Sequence, residues 1–477
     1  MAATEEEPRA PPLHVVVFPW LAFGHLIPFL ELSEQLAKRG HLVTFVSAPR
    51  NIARLRPIPP ALSPRIRLVS LPLPRVDGLP DGAESTTDVQ PEKVETLKLA
   101  FDGLAAPFAA FLAEADEHGK KPDWIIMDFA HHWLPAIGEE HKVACAVFNI
   151  VPAAFVAFLG PKELNDEHPR SAPEDFMVPP PWIPSSSPLA FRAHEAEWLA
   201  SQAWRPNTSG VSDLDRFWAT AQLCPFNICR SSHEVDGPLC AFLGDLFRKP
   251  VVPSGLLAPY DAARDAGGGG SDEEGARLVR WLDAQPERSV LYVAFGTEAP
   301  LTAEHVREVA LGLELAGVRF LWALRTPIGE ERPPLPEGFE ERVAGRGVVR
   351  VGWVPQVRVL THAAVGGFLT HAGWGSLVES FMAGQPLVML PLFVDQGLNA
   401  RLMTVRQVGL EVPRGEHDGS VGREEVAATV RRVMAEEEGK VFARNARKLQ
   451  EVLRDRARQE RYIDELVEHL LHRRNPQ

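Results

Sequence analysis

Residues Trp353 to Gln396 read WVPQVRVLTHAAVGGFLTHAGWGSLVESFMAGQPLVMLPLFVDQ, and the middle of that stretch decides the fold. Gly366 to Thr370 is a short apolar run with the length of a buried strand. His371 to Trp374 is a turn, and Gly375 to Met382 has helical spacing until Gly384 and Pro386 stop it. Strand, tight turn and helix in that order make one βα unit of a parallel sheet. The backbone N–H groups of the new helix then point past the carboxyl end of the strand, where they favour an anion such as a diphosphate. His371, Ser376 and the Gly375 amide are the donors that this turn offers.

The flanks extend the pattern. Trp353 presents a flat face for a base, Gln356 and Glu379 are spaced to share two ribose hydroxyls, and Asp395 with Gln396 supplies the acceptors and donors that sugar hydroxyls require. Each residue alone is commonplace. In this order they hold a nucleotide-activated sugar from end to end.

W-x-P-Q opens the segment, T-H-x-G-W stands in its middle and D-Q closes it, 44 residues from Trp353 to Gln396. It resembles the donor-binding box of the plant family of UDP-dependent glycosyltransferases. The resemblance implies that Trp353, with Val354 beside it, receives uracil, that Gln356 and Glu379 hold the ribose, and that His371 and Ser376 meet the phosphates. Trp374, Asp395 and Gln396 would face the transferred sugar, with Gln396 implying glucose. Two positions depart from the family: Ala372 stands where cysteine is usual and Gly375 where asparagine is usual. The missing amide should weaken donor binding by on the order of 1 kcal/mol.

Outward from this segment, Leu13 to Phe18 reads as a buried strand, His25 to Arg39 as a helix stopped by Gly40, and His41 to Ser47 as a second strand. The alternation recurs at Asp123 to Met127, Trp133 to His141 and Val143 to Asn149. Ser289 to Phe295, Phe320 to Leu324 and Gly347 to Val351, with helices such as Ala303 to Leu315 between them, form a second βα half. Asp261 to Gly275, with its run of glycines, reads as a flexible connection. A chain of 477 residues is long for a single core.

The resemblance implies the α/β GT-B fold, two Rossmann-like doubly wound domains facing a cleft. We expect an acceptor domain over 1–253, completed by a closing helix at about 456–477, and a UDP-sugar domain over 254–455. Pro161 to Pro188 reads as an irregular surface excursion, and Glu436 to Arg473 as one long amphipathic helix.

His25 stands at the N-terminus of the first helix, where the positive helix end disfavours imidazolium and keeps the ring ready to accept a proton. Asp128 emerges at the end of another strand and can accept from one ring nitrogen, leaving the other for a substrate hydroxyl. The resemblance covers this pair, since a Gly-His near residue 25 and an aspartate in a D-x-x-x-x-W setting carry those roles in the family. It implies a direct displacement in which an acceptor hydroxyl, deprotonated by His25, attacks C1 of an α-linked UDP-sugar and gives a β-glycoside. His371, Ser376, Thr297 in the Gly296-Thr297 turn, and helix amides would take up the charge on UDP without a metal. The D-x-D at Asp213 and Asp215 lies in a helix-like stretch and reads as a solvated face.

Trp20, Phe23, Phe129, His131, His132 and Trp133 flank the pair and suit a flat or terpenoid aglycone carrying sugars. Pro19 to His25, Pro49 to Ile52, Gly78 to Ser85 and Pro179 to Trp182 resemble the branch-forming subgroup, which adds a sugar to a sugar already on a flavonoid or on a diterpene glycoside such as a steviol glycoside. The expected activity is therefore glucosylation of plant glycosides from UDP-glucose. The alternatives are a transferase acting on free aglycones and a nucleotide-sugar binding protein without turnover. The chain has no G-x-S-x-G and no P-loop, which argues against a hydrolase or a nucleotide-cofactor enzyme.

A net charge of −13 and a pI near 5.7 argue against nucleic acid, whose phosphates need a basic face. An anionic UDP-sugar must then be attracted locally. Cys145, Cys224, Cys229 and Cys240 include no C-x-x-C and read as reduced core thiols. Met1 to Pro12 lacks the order of a signal peptide, and no apolar stretch reads as membrane-spanning. We expect a cytoplasmic monomer with UDP-glucose as co-substrate, no metal, no other cofactor, and no nucleic-acid or membrane partner.

Overall fold

The computed structural model describes residues 11–258, 273–299, 301–326 and 333–473. Most of the expected connection Asp261 to Gly275, and residues 1–10, lie outside the described residues. Within them the first half contributes β1 His14–Phe18, β2 Leu42–Ser47, β3 Ile66–Ser70, β4 Trp124–Met127, β5 Ala144–Asn149, β6 Asn227–Cys229 and β7 Val251–Pro253. The second contributes β8 Val290–Ala294, β9 Arg319–Leu324, β10 Gly347–Val351, β11 Val365–Thr370, β12 Leu387–Met389 and β13 Gly409–Glu411. The inner strands are continuous apolar runs because helices cover both faces; Val15 to Phe18 and Val290 to Val293 are all buried.

Two parallel sheets result, in the orders β3-β2-β1-β4-β5-β6-β7 and β10-β9-β8-β11-β12-β13. In each, the chain winds one way and then the other, so the direction switches between β1 and β4 and between β8 and β11. Crevices open at the carboxyl ends of the strands at such points. His25 follows β1 and Asp128 follows β4, while Gly296 to Glu298 follow β8 and His371 follows β11. The sheet topology alone places all of them at switch points.

Four expectations are corrected here. The C-terminal stretch is two helices, Glu437–Leu453 and Arg456–His472, because the Asp455 side chain accepts the Arg458 N–H and starts a new helix. The second of these crosses to the first sheet: Ile463, Leu466, Val467 and Leu470 join its core, and the Trp124 indole donates to the Leu470 carbonyl at 3.1 Å. Pro161 to Pro188 is largely the irregular surface segment expected, but it includes the helix Lys162–Glu167 and closes on Arg170. That buried guanidinium is surrounded by the rings of Phe158, Phe176, Trp182 and Trp204.

The third correction concerns Pro91 to Glu117, which is long and apolar enough to cross a membrane by length and composition. In the fold it includes the helices Val94–Asp102 and Ala105–Glu117, and its apolar side chains Leu97, Phe101, Phe108 and Leu112 are buried in the first domain. The fourth concerns Asp213, since Asp215 is exposed on a helix as expected. Asp213 pairs with Lys98 at 2.6 Å, and Ser212 caps the helix through the Asp215 N–H, so these acids build a helix start. The four cysteines are free and buried, as expected.

Candidate active site

The helix Phe23–Lys38 begins directly after the loop that leaves β1, and His25 lies in its first turn, half-buried. Its Nδ1 donates to Asp128 Oδ2 at 2.7 Å. The same carboxylate accepts the Trp20 N–H at 3.0 Å and the Phe129 N–H at 2.8 Å, so its orientation is set by three donors. His25 Nε2 makes no hydrogen bond among the described residues. An imidazole held at one nitrogen by a buried carboxylate and open at the other is arranged to take a proton.

The pKa of His25 corrects the expectation drawn from the helix end. Burial pulls it down, but Asp128, by its charge and its hydrogen bond, pulls it up, helped by Glu298 and Asp395 of the second domain; the net direction is upward from 6.5. A helix end is worth on the order of 0.3–1 kcal/mol, which a full charge at 2.7 Å in a buried setting outweighs. Asp128, despite burial, is held below the usual carboxylate range by His25 and the Trp20 N–H.

Across the cleft, Trp353 is 52% exposed and keeps a ring face open. Gln356 Nε2 donates to Glu379 at 2.6 Å, which joins the two groups expected at the ribose. His371 is clamped between two glycines: a Cβ on Gly296 would stand 2.8 Å from its Cε1, and one on Gly373 only 2.4 Å from its Nε2. Burial and the nearby Arg325 lower its pKa to about 3, so the ring is neutral and offers one N–H. Ser376 lies beside Gln356 in the first turn of the helix Trp374–Ala383, and Thr297 is exposed in the β8 turn. Asp395 is buried and its pKa is raised to about 6, opposed by a hydrogen bond from Asn399 and by His25. The side-chain Oε1 of Gln396 accepts the N–H groups of Leu392 and Phe393, so this amide oxygen fixes its own loop.

A family profile described as UDP-glucoronosyl and UDP-glucosyl transferase matches residues 265–461. UDP-glycosyltransferase 91C1 of Arabidopsis thaliana is 43% identical over 95% of this chain and 96% of its own length. The chain belongs to the UDP-glycosyltransferase family. Anthocyanidin-3-O-glucoside rhamnosyltransferase of Petunia hybrida is 33% identical to this glycosyltransferase over 95% of each chain. The crystal structure of Glycyrrhiza uralensis UGT73P12 with glycyrrhetinic acid 3-O-monoglucuronide shares its fold at a TM-score of 0.80 with 23% identity, covering 96% of each chain. The glycosyltransferase is thus an inverting enzyme of GT-B architecture.

Several expected contacts are made differently in this glycosyltransferase. Trp374 is 5% exposed, and its indole donates to the Arg230 carbonyl of the first domain at 2.9 Å, so it joins the domains instead of facing a sugar. The Val354 side chain is buried in the second core. Trp20 is 4% exposed, edge-on to Phe101, and brings its backbone N–H to the site but not its ring. Trp133 packs with Phe18, Phe101 and His131, and Phe23 packs against the first core. Of the aromatic acceptor candidates, Phe129 is the ring beside His25, with centroids 5.7 Å apart.

Two supporting residues were not singled out by sequence. Asn399 donates to Asp395 at 2.8 Å and to the Ala372 carbonyl at 3.0 Å. Ala372 holds φ of 62°, a left-handed geometry that costs an L residue about 1–2 kcal/mol. Asn399 therefore steadies both the strained turn and the sugar-end acid; its i, i+4 spacing from Asp395 on a helix was the available signal. Glu298, 3.4 Å from the Gly24 N–H, brings a second-domain carboxylate to the base.

At Gly375 the backbone φ is not left-handed, and a Cβ would meet only Arg230 Nη1 at 3.9 Å. Gly375→Asn should therefore fit and lower the donor KM about fivefold, equivalent to about 1 kcal/mol. An unchanged KM would show that the missing amide is of no consequence here.

Proposed function

We propose that this glycosyltransferase transfers glucose from UDP-glucose, without a metal, to a sugar hydroxyl of a plant glycoside, with His25 as the base. The hydrogen bond of 2.7 Å between His25 and Asp128, opposite the second-domain acids Glu298 and Asp395, is the observation that carries the reading. Gln396 at the end of the donor box supports glucose. The Petunia relative, named for a glucoside acceptor, supports attack on a sugar, while its rhamnosyl donor makes the choice of nucleotide sugar a matter for assay.

The acceptor hydroxyl gives its proton to His25 Nε2 as its oxygen bonds to C1 of the sugar and the bond from C1 to the UDP oxygen breaks. The electron pair leaves with UDP, whose charge is met by the neutral His371 N–H, Ser376, Thr297 and the amides of the helix Trp374–Ala383. We also propose that the enzyme acts as a cytoplasmic monomer.

Incubation with UDP-glucose, UDP-rhamnose or UDP-xylose, and a panel of aglycones and their glucosides, read by mass, tests the proposal. Product from glucosides and UDP-glucose supports it, and reaction of free aglycones alone removes the sugar-on-sugar claim. Assays in EDTA should keep full rate; loss of activity on chelation would overturn the metal-free reading.

The pH profile follows from His25. The base must be unprotonated, and its pKa is raised, so kcat/KM should fall as pH drops through a value above 6.5. Asp395, with its pKa raised to about 6, should steepen the fall below that. Asp128→Asn removes the strongest upward pull on His25 and should move the acid limb to lower pH. A limb unmoved by that substitution would assign it to another group.

A further inference from the structure

Arg230 follows β6 at the cleft edge of the first domain and is only 4% exposed. Its Nε donates to the Leu256 carbonyl at 2.8 Å, and its own carbonyl holds the Trp374 indole. Neither terminal nitrogen has a hydrogen-bond partner among the described residues. Glu379 and Glu31 act on the guanidinium by charge alone; burial lowers its pKa to about 10, which still leaves it a cation at neutral pH. Its Nη1 stands 3.9 Å from where a side chain at position 375 would begin, beside the first turn of the helix Trp374–Ala383.

The two terminal nitrogens are not sealed from solvent, so an acceptor that enters the cleft can take their N–H groups. A group that accepts from them must be anionic, because Arg230 adds its charge to the N–H groups of a helix end. In a chain with net charge −13, a buried cation here is a local attraction for an anion that the overall field repels.

We propose that Arg230 is a ligand of the donor diphosphate supplied by the first domain, beside the position where Gly375 carries no side chain. The proposal rests on the reading of this cleft as the UDP-sugar site. It also links donor binding to domain contact, since the residue that meets the phosphates is the one whose carbonyl anchors Trp374.

Titration calorimetry of the full chain with UDP, UMP and uridine tests it. In Arg230→Gln, the Kd for UDP should rise tenfold or more while that for uridine changes less than twofold. Adding Gly375→Asn to that variant should recover part of the loss. Should Arg230→Gln not fold, Arg230→Lys keeps the charge without the fork, and a several-fold loss on UDP with none on uridine supports the same conclusion. Equal weakening of UDP and uridine would assign Arg230 to Glu379 or to the scaffold and overturn the proposal, as would unchanged UDP binding. A wild-type protein that binds no UDP would overturn the donor site itself along with it.

Discussion

Replacing His25 by alanine is expected to lower kcat by roughly 10²–10⁴, the usual contribution of a positioned general base, while UDP binding measured by calorimetry stays near wild type. The expectation rests on three facts of the site. The ring is tied at Nδ1 to a carboxylate that three donors orient, and its Nε2 is open. It stands at the switch point of the first sheet, facing Glu298 and Asp395 from the second domain. Among the described residues, neither neighbouring imidazole is placed to substitute: His131 is buried under the Asp128 backbone with its pKa lowered to about 3, and His132 faces Arg216 and Asp102. Near-wild-type turnover in His25→Ala would eliminate the proposed mechanism.

The second large effect is expected at a residue with no functional group. Gly373→Ala should lower kcat/KM by roughly 10²–10³, the range for loss of one preorganised donor to a developing anion. Gly373 has φ of −65°, so alanine brings no backbone penalty. Its Cβ would, however, stand 2.4 Å from His371 Nε2, and on the other side the ring abuts Gly296. The imidazole must shift, and with it the N–H proposed to meet the phosphate. Gly375→Ala, two residues on, has its nearest neighbour at 3.9 Å and should leave activity almost unchanged. Full activity in Gly373→Ala would remove His371 from the mechanism.

Much of the site was legible because its groups are local. The middle of the donor box is one strand, one turn and one helix of a single βα unit, so spacing along the chain is also spacing in space, and His371, Ser376 and Glu379 stand where that unit puts them. His25 was legible for the same reason, as a histidine in the first turn of a helix after a buried strand. Trp374 and Trp20 misled because an aromatic residue near a site has the same local pattern whether its ring faces the cleft or the core. Only packing distinguishes the two, and here the core took both rings. The direction of the His25 pKa was missed because the sequence pairs Asp128 with the ring but gives neither the 2.7 Å distance nor the burial that sets how strongly the carboxylate acts.

By itself the order of residues determined the alternating strands and helices, the glycines at tight turns and the donor series, since periodicity and turn chemistry act over a few residues. Tertiary structure decided how closely His25 meets Asp128 across 103 positions, and it alone decided that Arg230 meets the helix of Trp374 across 144. Those contacts depend on the order in which strands assemble and on how two domains dock. Both are settled by burial summed over the whole chain, which no short segment encodes.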